Sequence, residues 1–122
     1  MANILDKILD TKKQEVLLIK DNEPMDVLQE KISKQDRAQN FVGALLGDDV
    51  RLIAEIKPAS PVKGEFIAGR FNINQLADIY ASNGAAAISV LTDKKYFQGD
   101  IEYLMKVKGI VGARSIPVLR KD

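Results

Sequence analysis

Along the first part of the chain, apolar residues recur at helical spacing. Leu5, Ile8, Leu9, Val16 and Ile19 fall on one face of a helix expected over residues 2–20, with Lys and Glu filling the other face. Asp21 and Asn22 end that pattern. Pro24 suits the first turn of a second helix, striped by Met25, Leu28 and Ile32. A short third helix is expected around Phe41, Ala44 and Leu45, with Gly47, Asp48 and Asp49 as its exit turn. Such one-sided helices suggest a cap lying on the body that follows.

The period then changes. Leu52, Ile53, Ala54 and Ile56 make a short apolar run, which reads as a strand. Glu55 and Lys57 interrupt it, and because strand side chains alternate, both point to the same side. Pro58 and Pro61 lack backbone donors and close off regular pairing, and Gly64 marks a turn. Residues 65–71, with Gly69, read as loop. A helix over residues 73–83 buries Ile73, Leu76, Ala77 and Tyr80; Asn72 or Asn74 can cap it, and Asn83-Gly84 stops it. Residues 85–91 form a second strand, small and β-branched, buried on both faces. Residues 92–99 are its exit loop. Asp100 caps a further helix carrying Tyr103, Val107, Ile110 and Val111 on one face. Residues 115–121 form a third strand, in which Pro117 is tolerable only near the start.

The order is a helical extension and then β-α-β-α-β. Crossovers of this length imply parallel strands joined right-handedly, an α/β fold. A complete (β/α)8 barrel takes about 250 residues, and this chain has 122. The expectation is a partial TIM (β/α)8 barrel, with residues 1–49 as an N-terminal helical extension and residues 50–122 as the first three strands and two helices, truncated. In such barrels the C-terminal ends of the strands carry the chemistry, and Glu55 with Lys57 stands at one of those ends.

Composition narrows the chemistry. The chain is 46% hydrophobic and 29% charged, and its net charge of +1 gives no reason to expect nucleic acid. It has no cysteine and no histidine, which removes disulfides, Cys/His zinc sites, thiol nucleophiles and Ser–His–Asp triads. Acid–base work falls to Lys, Glu, Asp or Tyr. The N-terminus has no signal-peptide pattern, and no stretch approaches the roughly 20 apolar residues of a membrane span, so a cytoplasmic location is expected.

Three separated blocks resemble one family. They are LIAEIKPASP at 52–61 with Lys63-Gly64, GAAAISVLTD at 84–93 with KYFQG at 95–99, and PVLRKD at 117–122. In this order and at these separations they are similar to indole-3-glycerol phosphate synthase of tryptophan biosynthesis, and ILDKI at 4–8 resembles that family's helical extension. The resemblance implies a carbon–carbon lyase acting without cofactor or metal. That enzyme closes the indole ring of 1-(o-carboxyphenylamino)-1-deoxyribulose 5-phosphate with loss of carbon dioxide and water. By position, Lys121 matches the family's principal general acid and Lys57 the first-strand lysine that contacts substrate and takes part in acid catalysis. Glu55 matches the glutamate that orients and tunes them. Ser60 matches a substrate-binding serine and Phe97 the aromatic on the anthranilate ring, with Pro61 and Leu119 as further apolar wall. The later-strand glutamates and the main phosphate site of the family would lie beyond Asp122. An N-terminal part inactive alone is therefore expected. Its partners would be a phosphorylated small molecule and either the remainder of the barrel or other copies meeting its open sheet edges.

Each of these residues also has a plainer reading. Glu55 and Lys57 suit the wet face of an edge strand, and Lys121 a solvated chain end. Phe97 could fill core beneath its loop, Ser60 could cap a turn, and Lys63 and Lys94 suit surface charges. Two other functions compete. One is an aldolase-like barrel using Lys121 as a Schiff-base nucleophile, which borohydride trapping would reveal. The other is a non-catalytic partial-barrel assembly module.

Overall fold

The computed structural model describes residues 3–66 and 72–122, so the loop expected around Gly69 lies outside the described residues. The chain divides into two units, Met1–Arg37 and Ala38–Asp122.

In the first unit, α1 (Ile4–Asn22) begins at a capping box. The Asn3 side chain accepts from the Asp6 N–H at 2.9 Å, and the Asn3 N–H donates to the Asp6 carboxylate at 3.0 Å. The helix ends at Asn22, and α2 (Met25–Ser33) follows directly after Pro24, as the spacing predicts. Leu5, Leu9, Val16, Ile19, Met25 and Ile32, on the predicted apolar stripes, are exposed.

The second unit opens with α3 (Phe41–Leu45), capped by Asn40. A three-stranded sheet follows, built from β1 (Ile53–Ile56), β4 (Ala87–Leu91) and β5 (Val118–Lys121). The spatial order is β1-β4-β5 and both pairings are parallel. The register sets Glu55 beside Ser89 and Ser89 beside Leu119, with Leu91 beside Lys121. The crossovers are α4 (Ile73–Ser82) and α6 (Glu102–Val111), which pack on each other. Ala54, Ile56, Ile88 and Val90 form one core with Ile73, Ala77, Val107 and Val111 from these helices. By strand alternation, Glu55, Ser89, Leu119 and Lys121 belong to the opposite face, and α3 packs on β4.

Asn72 caps α4, accepting from the Gln75 N–H at 3.1 Å. Asn72→Ala should lower stability by about 1 kcal/mol, read as a shift in urea midpoint; an unchanged midpoint would count against this cap. At the other crossover, Asp100 accepts from the Glu102 N–H at 3.0 Å and pairs with Lys94 at 3.0 Å. The Glu102 N–H first, and then Lys94, hold the Asp100 carboxyl below its ordinary value. What this contributes is in place above the ordinary carboxylate pKa and is lost as pH falls through the lowered one.

Three segments differ from expectation. The segment after β1 is a small hairpin, β2 (Ala59–Ser60) with β3 (Gly64–Glu65), where pairing was expected to stop. Pro58 lacks a donor but keeps its carbonyl, which accepts from the Phe66 N–H at 3.0 Å. Pro61 sits in the turn, where no donor is needed, and Gly64 takes the left-handed backbone (φ 70°) that reverses the chain. The exit loop of β4 contains a single helical turn, α5 (Lys94–Phe97). Asp93 caps it by accepting from the Tyr96 and Phe97 N–H groups at 2.6 and 3.2 Å. The third strand is also shorter than its apolar run. Pairing starts with the Pro117 carbonyl, which accepts from the Ile88 N–H at 3.0 Å.

Candidate active site

Parallel strands deliver their C-terminal ends to one edge of the sheet, and three charged side chains meet there. Lys121, the last residue of β5, places its Nζ 2.9 Å from Glu55 Oε2 on β1. Lys57, one residue beyond β1, has its Nζ 3.9 Å from Glu55 Oε1. One carboxylate therefore stands between two lysines, and its partner Lys121 lies 66 residues further along the chain. Ser89, on the strand between them, donates its hydroxyl to Glu55 Oε2 at 3.2 Å. Glu55 is the least exposed of the charged three, with 28% of its side chain open to solvent, against 36% for Lys57 and 53% for Lys121. The lysine heads can thus reach a bound molecule while the carboxylate anchors them.

Several backbone contacts hold this edge. The Tyr80 hydroxyl, from α4, donates to the Glu55 carbonyl at 3.2 Å. The Lys121 carbonyl accepts from the Thr92 N–H at 2.8 Å and from its hydroxyl at 3.3 Å. Beside Glu55 and Lys57 opens a cavity of about 480 Å³, whose lining includes Ser60, Lys63, Phe66 and Tyr80. The Lys57 ammonium stands 5.2 Å from the Phe66 ring centroid, a cation–π distance.

Of the residues singled out from sequence, Glu55, Lys57 and Lys121 come together, and Ser60 shares the cavity with the first two. Ser60 also accepts from the Lys63 N–H at 3.1 Å, so it caps the hairpin turn. Pro61 is exposed in that turn. Phe97 is half-buried at the end of α5, which packs on β2 and is tied to the hairpin by Gln98 donating to Glu65 at 3.1 Å. Leu119 is exposed on β5 and, like Pro61 and Phe97, does not line the cavity. Lys63 lines the cavity, whereas Lys94 is a surface charge paired with Asp100. Ser89, Phe66 and Tyr80 are contributors that the residue-level reading of the site missed. For Ser89 the signal was present, as a lone hydroxyl in an otherwise apolar strand.

A parallel β-α-β-α-β unit, with its charged cluster at the C-terminal strand ends, has the class of a partial (β/α)8 barrel. The indole-3-glycerol phosphate synthase family matches residues 5–122, and the chain belongs to that family. It is 41% identical to the indole-3-glycerol phosphate synthase of Clostridium kluyveri over 121 residues, covering 98% of this chain and 45% of that protein. The enzymes of the same name from Dechloromonas aromatica and Burkholderia multivorans are also 41% identical over 126 residues, covering all of this chain and 47% and 46% of theirs. The chain thus spans about half the length of the curated relatives it matches. Among the described residues, no helix is long and apolar enough to cross a membrane.

Proposed function

We propose that this chain supplies the first three strands of a synthase that closes the indole ring of 1-(o-carboxyphenylamino)-1-deoxyribulose 5-phosphate. On this reading residues 1–49 are the helical extension and residues 50–122 the front of the barrel. The observation that carries the proposal is the 2.9 Å pairing of Lys121 with Glu55, which joins the ends of the first and third parallel strands.

The reaction asks for acids at fixed places. The ring carbon that bears the carboxylate attacks the ribulose carbonyl, whose oxygen takes a proton. The carbon–carbon bond to the carboxylate then breaks, and its electrons return to the ring as carbon dioxide leaves. The new hydroxyl departs as water after taking a second proton, and loss of a proton from the adjacent carbon completes the indole. Lys121 is the proton donor in this proposal. Lys57 balances the charge of the anionic substrate and assists the donor, and Glu55 holds both ammonium groups toward the open end of the strands. Ser60 binds substrate from the hairpin, and Phe97, Pro61 and Leu119 form the wall for the aromatic ring. Glu65 and Gln98 support this placement by tying the Phe97 segment to the hairpin that bears Ser60.

The test supplies the rest of the barrel, taken from the Clostridium kluyveri relative, as a second polypeptide and follows indole-3-glycerol phosphate fluorescence. Activity is expected with both pieces and not with this chain alone. Two pieces that co-purify in equal amounts and remain inactive would overturn the proposal.

A further inference from the structure

We infer that Ser89 is a positioning residue, whose hydroxyl holds the Glu55 carboxylate turned so that one oxygen meets Lys121 and the other is left for Lys57. Its catalytic consequence rests on the proposed ring closure; its structural content does not.

The terminal torsion of a glutamate is broad, and its two oxygens are interchangeable by rotation. A carboxylate between two ammonium groups therefore has no intrinsic reason to keep one oxygen on each. In this sheet the symmetry is broken. Ser89 sits on the central strand in direct register with Glu55, and it is only 3% exposed. A hydroxyl buried so deeply needs a partner, and its partner is Glu55 Oε2, at 3.2 Å. That is the same oxygen that receives Lys121 at 2.9 Å. Oε2 thus carries two donors from the second and third strands of the sheet. Oε1 faces Lys57 at a looser 3.9 Å. The serine makes the carboxylate hold Lys121 firmly and Lys57 loosely, a division that suits one lysine fixed as acid and one free to follow the substrate.

The experiment measures acetylation of Lys121 by a limiting amine-acetylating reagent in the purified chain. Peptide mass spectrometry reads it as a ratio to exposed Lys13 on α1. Glu55→Gln sets the ratio for a Lys121 released from its anchor. Ser89→Ala should raise the ratio toward that limit, by about threefold for a weakened charge-assisted contact. Ser89→Thr, which keeps the hydroxyl, should restore the wild-type ratio. Should Ser89→Ala fail to fold, Ser89→Cys, close in volume and a weaker donor, should raise the ratio as well. A Ser89→Ala ratio equal to wild type, or a Ser89→Thr ratio equal to that of Ser89→Ala, overturns the inference. In the two-piece synthase, Ser89→Ala should lower kcat about tenfold and leave KM within about twofold. An equal loss in Ser89→Thr would mark a packing role instead. A wild-type mixture without activity would count against the proposed reaction, while the acetylation ratios still decide the role of Ser89.

Discussion

Lys121→Ala, introduced into the two-piece synthase, is expected to lower kcat by about 10²–10⁴-fold, the usual cost of losing a general acid. Lys57→Ala should cost less, because its contact with Glu55 is the looser of the two and its proposed work is binding. Its effect should therefore fall partly on KM. Lys121→Arg keeps a cation but should not restore the rate, since guanidinium surrenders a proton far less readily than ammonium. The fold should survive all three changes. Lys121 is half-exposed, and removing an ion pair of that exposure changes stability by no more than about 1 kcal/mol. Stopped-flow or steady-state fluorescence of the product gives the rates, and circular dichroism checks the fold. A Lys121→Ala mixture turning over at the wild-type rate would falsify the assignment of this lysine as the acid.

What could be read in the sequence follows from what period and polarity can encode. The strands of the parallel sheet announced themselves as short apolar runs, and the parity of Glu55 and Lys57 placed both on one side. The apolar stripes of α4 and α6 coincide with most of the buried helix residues. The hairpin after β1 was not legible, because two prolines read as terminators. Their effect depends on whether a donor or only an acceptor is required, and that is a tertiary matter. The single turn of α5 is too short to show a period, although Asp93 followed by a polar turn was its cap signal. Ser89 was hidden by the reading of its strand as buried on both faces. A residue two positions from Ala87 and two from Leu91 must share their side of the sheet, so a hydroxyl there requires a partner across the register. Phe66 could not be found from the chain alone, because the hairpin return brings it to Lys57.

Gly99→Ala is expected to be among the most damaging single-methyl additions in the second unit. The reason is not backbone conformation, since the glycines at positive φ are Gly47, Gly64 and Gly84 among the described residues. It is proximity. A Cβ on Gly99 would stand 2.3 Å from the Leu91 carbonyl oxygen, 2.6 Å from its carbon and 2.9 Å from the Thr92 carbon. All three are backbone atoms at the end of the central strand, so no side chain can swing aside. The Gly99 N–H also donates to the Asp93 carbonyl at 2.7 Å, which leaves the turn little room to retreat. The strand end it would push is the one whose Thr92 bonds the Lys121 carbonyl. Strain at Gly99 should therefore reach the site as well as the core. The expected loss is roughly 3 kcal/mol, at the upper end for overpacking, read from urea unfolding at fixed chain concentration. Gly64→Ala is the comparison: nothing lies within 4 Å of its added methyl, and only its φ of 70° opposes the change. That should cost about 1 kcal/mol. A Gly99→Ala protein within about 0.5 kcal/mol of wild type would mean that the turn does not press on β4.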